Sequence, residues 1–245
     1  MDCIEGMKLI DDRSIDLIIT DLPYGTTKNK WDCIIPFDKL WGQYERIIKD
    51  NGAILLFSAQ PFTTDLINSN RKLFRYDLVW DKVLSSGFLN AHKMPMRTHE
   101  TICVFYKKPP KYNPIMEIRG KPRQKGRNKN TTADGKTCYG DYGAIKSYNN
   151  EYFPKSILTF SNGNRKDGRI HSTQKPVPLI EYLIQTYSDI GDLVLDSCCG
   201  SCSTGIAAHR TRRNFIGFEL DEYYYKLSKQ RLDDEMAQMT IYDFM

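Results

Sequence analysis

The chain has 245 residues, a formal net charge of +5, 40% hydrophobic and 27% charged residues. That length suits one large α/β domain or one domain carrying an insertion, and the composition excludes an extended disordered chain. No apolar run approaches the ~20 residues that span a bilayer, and the acidic start MDCIEGMKLIDD lacks the pattern of a secretory signal.

The first predicted element is a strand over residues 15–20, IDLIIT, apolar enough to be buried on both faces. It runs straight into DLPYG. Pro23 fixes its own φ and removes a donor, and Gly25 permits backbone angles closed to other residues. The stretch is therefore a shaped turn that holds Asp21 and Tyr24 at a strand end. An acid-x-Pro-aromatic tetrapeptide also serves as an ordinary strand exit, so this turn alone assigns no chemistry.

A helix is predicted over 38–49, where Leu40, Trp41, Tyr44, Ile47 and Ile48 share one face. Strands follow at 53–58, 76–80 and 101–106. Residues 107–170 break the alternation. They show no sustained hydrophobic period of 2 or 3.6, and they are too long for an ordinary connection. Between Lys107 and Ile170 there are 15 Lys and Arg against 5 Asp and Glu, a net +10 that leaves the rest of the chain at −5. A basic block rich in tyrosine inside a mildly acidic body predicts an inserted surface for a polyanion.

The pattern resumes with a helix over 177–188 and a strand over 193–196 that ends at Asp196. A small-residue turn follows, and TGIAAHR at 204–210 starts a helix. A strand over 215–220 ends near Glu219, 23 residues after Asp196, and a charged helix over 221–238 has Asp221 as its N-cap. Alternating strands and helices predict a mostly parallel sheet with helices on both faces. The small-residue turn brings N–H groups and a helix start toward a ligand. An acid about 20 residues on is placed for two ribose hydroxyls. Together they predict a nucleoside-cofactor pocket. Neither the dinucleotide fingerprint nor an ATP-binding P-loop is present. Cys199 and Cys202 have C-x-x-C spacing but no second pair at a zinc-like interval, so no metal site is expected. The seven cysteines read as reduced cytosolic thiols, which predicts a cytoplasmic protein.

Two sites at strand ends of one sheet are far more specific than either alone. DLPY at 21–24, LDSCCGSCSTG at 195–205 and HSTQKPVPLIEYLI at 171–184 resemble the motifs of the S-adenosylmethionine-dependent DNA amino-methyltransferases. The similarity extends to WDKVLSSGFLNAHKMPMRTHETICVFYKKP, and the order of motifs is that of the family's permuted β group. The resemblance implies an α/β fold with a three-layer, Rossmann-like methyltransferase sheet in circularly permuted order. It implies a catalytic half at 1–106, an inserted basic target-recognition region at 107–170 and a cofactor-binding half at 171–245. The implied activity is methyl transfer from S-adenosylmethionine to the N6 amino group of a flipped adenine in double-stranded DNA. Cytosine-N4 methylation is the alternative within the class, and a catalytically weakened DNA-binding relative the alternative outside it. A homodimer and a cognate restriction nuclease stay open as partners.

The resemblance also implies roles. Asp21 and the Leu22 carbonyl would accept from the target amine, Pro23 would stiffen the turn, and Tyr24 would stack on the flipped base. Leu22 replaces the usual proline, but that position is asked only for a carbonyl. Glu219 would bind the cofactor ribose, Asp196 and Gly200 would shape the methionine side, and Thr204 would lie near the helix start. Lys175 would lie near the cofactor carboxylate, and Asp2 near its adenine. Family members carry a short strand before that acid. Here it is missing, replaced by residues 240–245, or encoded upstream. Cys202 stands where the family has glycine; if φ is positive there, its Cβ costs ~1–2 kcal/mol and cofactor affinity suffers. Arg119, Arg123, Arg127, Arg165 and Arg169 would contact DNA phosphates and base edges.

Overall fold

The computed structural model describes residues 1–26, 32–127, 145–162 and 174–242. The chain divides into two compact units, one of Met1–Asn113 with Ser156–Met245, the other Pro114–Lys155.

The larger unit opens with α1 (Cys3–Met7), β1 (Ile15–Asp21), α2 (Phe37–Ile47), β2 (Ile48–Ser58), α3 (Phe62–Ser69), β3 (Phe74–Ser86) and β4 (Arg97–Phe105). The smaller unit supplies β5 (Glu117–Arg127) and β6 (Ile145–Tyr152). The larger unit then continues with β7 (Ile157–Thr159), α4 (Val177–Tyr187), β8 (Leu193–Asp196), α5 (Ser203–Arg210), β9 (Asn214–Gly217) and α6 (Glu222–Tyr242). Its seven strands form one sheet in the order β7-β3-β4-β2-β1-β8-β9.

The central strands β1, β2, β4 and β8 are buried on both faces over most of the predicted runs because the sheet has a core on each side. Leu17, Ile19, Leu55, Phe57, Ile102 and Val104 face the side where α4 and α5 pack. Their sequence neighbours Ile18, Ile54, Leu56, Cys103 and Phe105 face the side where α1, α2 and α3 pack. Period-2 alternation between two apolar faces gives a continuous apolar run, which is why residues 15–20 carry no polar stripe.

The sheet is mostly parallel, as the sequence predicts, but β4 runs antiparallel to both β2 and β3. A short connection between β3 and β4 permits only an antiparallel pair, since a parallel one needs a long crossover. The strand read over 215–220 stops at Gly217, so Glu219 lies in the turn beyond it. Residues 240–242 continue α6 rather than forming a strand, and 243–245 lie outside the described residues.

The smaller unit is an antiparallel ribbon of β5 and β6. It has no apolar alternation, which is why hydrophobic periodicity misses it. Its period of two is carried by charge: Arg119, Lys121, Arg123, Lys125 and Arg127 occupy alternate positions. A register irregularity falls between Ile118 and Arg123, with Gly120 at positive φ inside it. Arg119, Arg123 and Lys125 nevertheless converge on one ring, that of Tyr152, with cation-to-centroid distances of 5.1, 5.8 and 3.5 Å. The Arg123 Nε also donates to the Tyr152 hydroxyl at 3.0 Å, and Arg119 pairs with Glu117. Arg127 closes β5, and Arg165 and Arg169 lie outside the described residues.

Candidate active site

Strand order decides where a ligand can sit. From β1 the chain crosses through α2 to β2 on one side; from β8 it crosses through α5 to β9 on the other. β1 and β8 are parallel neighbours, with Leu17 opposite Val194 and Ile18 opposite Leu195. The sheet therefore splits outward between them, and the crevice beyond their carboxyl ends is where open α/β sheets bind ligands. Asp21 and Asp196 end those two strands. The Ser197 N–H donates to Thr20 Oγ1 at 3.1 Å across 177 sequence positions, and the Tyr44 hydroxyl meets Ser197 Oγ at 2.6 Å.

A cavity of about 1490 Å³ occupies this crevice, walled by Asp21–Tyr24 on one side and by Asp196–Ser201, Ser203, Thr204 and Glu219 on the other. That exceeds the ~300–1,000 Å³ of a usual single-ligand pocket, so there is room for two reactants together.

On the β1 side, Tyr24 donates its hydroxyl to Asp21 Oδ1 at 2.7 Å. Its ring stacks on Phe62 with centroids 5.1 Å apart and planes 27° from parallel. Gly25 takes φ +67°, and its N–H and that of Thr26 donate to the two oxygens of Asp32 at 2.8 and 2.9 Å. The buried Asp32 carboxylate thus clamps the turn behind Tyr24, a role that nothing in local sequence pattern announces. Leu22 is 4% exposed and belongs to the core beneath the turn. Leucine in place of proline therefore anchors the turn by packing.

Lys175 sits on this side. Its ammonium donates to Asp21 Oδ2 and lies 3.4 Å from Glu100 Oε2. Lys82 reaches the other Glu100 oxygen at 3.2 Å. Phe57 and Trp80 place their rings 5.2 and 5.9 Å from the Lys175 ammonium. Burial works against the charge on Lys175, but Asp21 and Glu100 more than offset it and raise its pKa. Burial likewise pushes Glu100 up, and the Lys175 and Lys82 ammoniums overcome it and hold the carboxyl below the ordinary range. Glu100 Oε2 is buried and, among the described residues, has an ion-pair neighbour but no directed hydrogen bond. Sequence reasoning missed Glu100 and Lys82.

On the β8 side, Asp196 is buried, accepting from the Cys198 N–H at 3.1 Å and the Thr204 hydroxyl at 2.6 Å. It ties the loop's start to the first turn of α5. Glu219 accepts from the Gly200 N–H at 2.9 Å and the Asp221 N–H at 2.8 Å. Asp221 itself caps α6, accepting from Tyr223 and Tyr224, and Arg231 of α6 donates to the Ser201 carbonyl at 2.7 Å. Asp2 lines the cavity, but its Oδ1 caps α1 through the Ile4 and Glu5 N–H groups. The Met1 ammonium donates to the Glu219 carbonyl at 2.6 Å.

Cys202 has φ 59° and ψ 31°, so the left-handed condition stated for it is met. Its side chain does not wall the cavity. It is buried over Gly205, where an added Cβ would fall 2.4 Å from its sulfur and 2.9 Å from the Phe215 ring. The strain of a Cβ at 202 thus falls on loop folding more than on ligand contacts. Gly205→Ala is expected to destabilise the protein by about 1–3 kcal/mol through overpacking. Adding Cys202→Gly should recover part of that loss in denaturant unfolding; fully additive effects would show that the two sites do not share the space.

Burial pushes the Asp196 carboxyl up to about 6. The unfolded chain ionises it near 3.9, so between about pH 4 and 6 the folded state holds the extra proton. Stability contributed at this site therefore falls as pH rises through that window, by up to about 3 kcal/mol. Asp196→Asn should flatten that segment of the stability–pH curve; an unchanged curve in chemical denaturation would reject the assignment.

This sheet brings the loop-and-helix turn after β8 and the Asp-x-Pro-Tyr turn after β1 to one crevice. A family model described as DNA methylase, of the N6/N4 type, matches residues 15–230, and the chain belongs to that family. Type II methyltransferase M.HpaI of Haemophilus parainfluenzae is 28% identical over 95% of this chain and 72% of its own. DNA adenine methyltransferase YhdJ of Escherichia coli K12 is 26% identical over 95% and 81%. Among solved structures, the M1.HpyAVI–SAM complex superposes with TM-score 0.62 at 23% identity, covering 95% of this chain and 97% of that one. The cytosine-N4-specific PvuII DNA methyltransferase reaches 0.70 at 18% identity, covering 94% and 84%. The chain is thus an S-adenosylmethionine-dependent DNA amino-methyltransferase. The residues fit that cofactor: a roomy crevice, the N-terminus of α5 and the Glu219 carboxylate stand on one wall.

Proposed function

We propose that this protein methylates the N6 amino group of adenine in double-stranded DNA after the base has left the helix. The observation that carries the reading is the Asp21–Tyr24–Lys175 constellation in the same cavity as the loop from Asp196 to Thr204. S-adenosylmethionine supplies an electrophilic methyl group when bound. An exocyclic amine is a poor nucleophile because its lone pair is delocalised into the ring. Asp21 and the Leu22 carbonyl accept its two N–H bonds and favour a pyramidal nitrogen, and the carboxylate stabilises the positive charge that grows there. Tyr24, backed by Phe62, offers a platform for the flipped ring. Pro23 holds the turn, and Glu219, Asp196, Gly200, Thr204 and Asp2 form the cofactor side. An aspartate opening the motif favours adenine over cytosine.

The β5–β6 ribbon is the target-recognition element in this reading. A two-stranded ribbon fits the major groove, and its row of cations suits phosphates. The order of parts along the chain, with the catalytic turn first and the cofactor loop last, corresponds to the permuted group.

Incubation with labelled S-adenosylmethionine and plasmid DNA, followed by digestion to nucleosides, tests the reading. N6-methyl-2′-deoxyadenosine is expected. N4-methyl-2′-deoxycytidine would replace adenine by cytosine as the target, and an unlabelled plasmid would overturn the assignment to DNA.

A further inference from the structure

Among the described residues, an exposed apolar cluster lies between two strands whose ends reach the cavity. Between β3 and β4 the chain forms a turn of 3-10 helix at Phe88–Asn90. Phe88 is 74% exposed and Leu89 82%, with Met94 and Met96 exposed behind them. Large side chains at a loop tip gain nothing from water, and a cluster of them signals a partner.

The tip is preformed. The Asn90 N–H donates to the Gly87 carbonyl at 3.0 Å, Ala91 to Phe88 at 3.1 Å and Lys93 to Asn90 at 2.8 Å. Val83 is held at φ 64°, with its N–H donating to Asp81 Oδ1 at 2.9 Å. A β-branched residue in that region is strained, and such strain persists where surrounding structure requires it.

The arms of the loop belong to the active site. Lys82, Ser86 and Glu100 line the cavity together with Asp21 and Tyr24. Ser86 receives a bond from Lys82 and donates to the Arg97 carbonyl. The charge is one-sided as well. From residue 82 to 99 there is no Asp or Glu, while Lys93 and Arg97 are exposed beside the tip. That pattern suits a polyanion. A two-fold contact between copies through this tip would instead set the same cations against each other.

We propose that Phe88 and Leu89 form a wedge that enters the DNA duplex at the target step and fills the space left by the flipped base. Apolar side chains unstack base steps in this way elsewhere, and opening a paired base costs a few kcal/mol. The inference rests on the reading of this chain as a methyltransferase of flipped bases in DNA.

The test uses the full chain and the site mapped by sequencing plasmid modified by the unaltered protein. Two oligonucleotide duplexes carry that site, one intact and one with an abasic position opposite the target base. Phe88→Ser with Leu89→Ser should slow transfer to the intact duplex by about tenfold to a hundredfold, yet stay within about threefold of the unaltered protein on the abasic duplex. Phe88→Trp should keep transfer to the intact duplex, and calorimetric S-adenosylmethionine binding should be unchanged in both. An equal loss on both duplexes, no loss on either, or a change in sedimentation coefficient overturns the wedge. Failure of the unaltered protein to modify plasmid removes the parent reading and the wedge with it.

Discussion

Asp21→Ala is expected to lower methyl transfer by about a thousandfold while leaving S-adenosylmethionine binding intact. The carboxylate stands at the end of β1 with one oxygen toward Tyr24 and the other toward Lys175. In that position it is a charged acceptor whose orientation is set before any substrate arrives. The amine nitrogen becomes positive only as the new bond forms, so an acceptor aimed at it contributes more in the transition state than in the ground state. The Asp21 side chain is 27% exposed, and its loss leaves no fully buried void, so the fold should persist. Rapid-quench measurement of transfer with calorimetry of cofactor binding separates the outcomes. Transfer at the unaltered rate would remove Asp21 from the chemistry, and loss of cofactor binding would move it to the other side of the cavity.

Lys175→Met is expected to have the second-largest effect, and it separates two roles for that residue. The resemblance placed Lys175 near the cofactor carboxylate, whereas in the structure its ammonium lies between Asp21 and Glu100. Removing one partner from a buried ionic cluster costs about 3–5 kcal/mol of stability. Without the ammonium, burial pushes Glu100 toward its protonated form, and the acid limb of the pH–rate profile should move upward. Misplacement of Asp21 should lower kcat by about a hundredfold with little change in cofactor affinity. Adding Glu100→Gln should restore part of the stability, because it removes one of the two carboxylates that the Lys82 ammonium alone would otherwise have to balance. A weakened cofactor affinity with unchanged kcat would return Lys175 to the cofactor carboxylate. A purely structural lysine would lower stability without moving the pH profile.

Local pattern explains what could be read in the chain directly. Apolar runs bounded by turn residues located six strands of the larger sheet, because burial on two faces leaves a signature within a few residues. The DLPYG turn and the small-residue loop after Asp196 were legible because proline, glycine and strand-end acids restrict the backbone where they stand. Asp221 as a helix cap was legible for the same reason. The β5–β6 ribbon was not, since it alternates in charge rather than hydrophobicity, and β7, at three residues, is too short to show a period.

The sequence by itself determined the kinds of groups available: an acid and a tyrosine in one turn, an acid before a small-residue loop, a second acid 23 residues on, and a segment of excess positive charge. Tertiary structure alone decided their company. β1 and β8 became neighbours through sheet order, and this joined the two turns in one crevice. Lys175 met Asp21 across 154 positions, Asp32 folded back on Gly25 and Thr26, and the Cys202 sulfur turned onto Gly205. The physical reason is range. Backbone preferences act over a few residues, whereas ion pairs and packing depend on distances that exist only after the sheet has assembled.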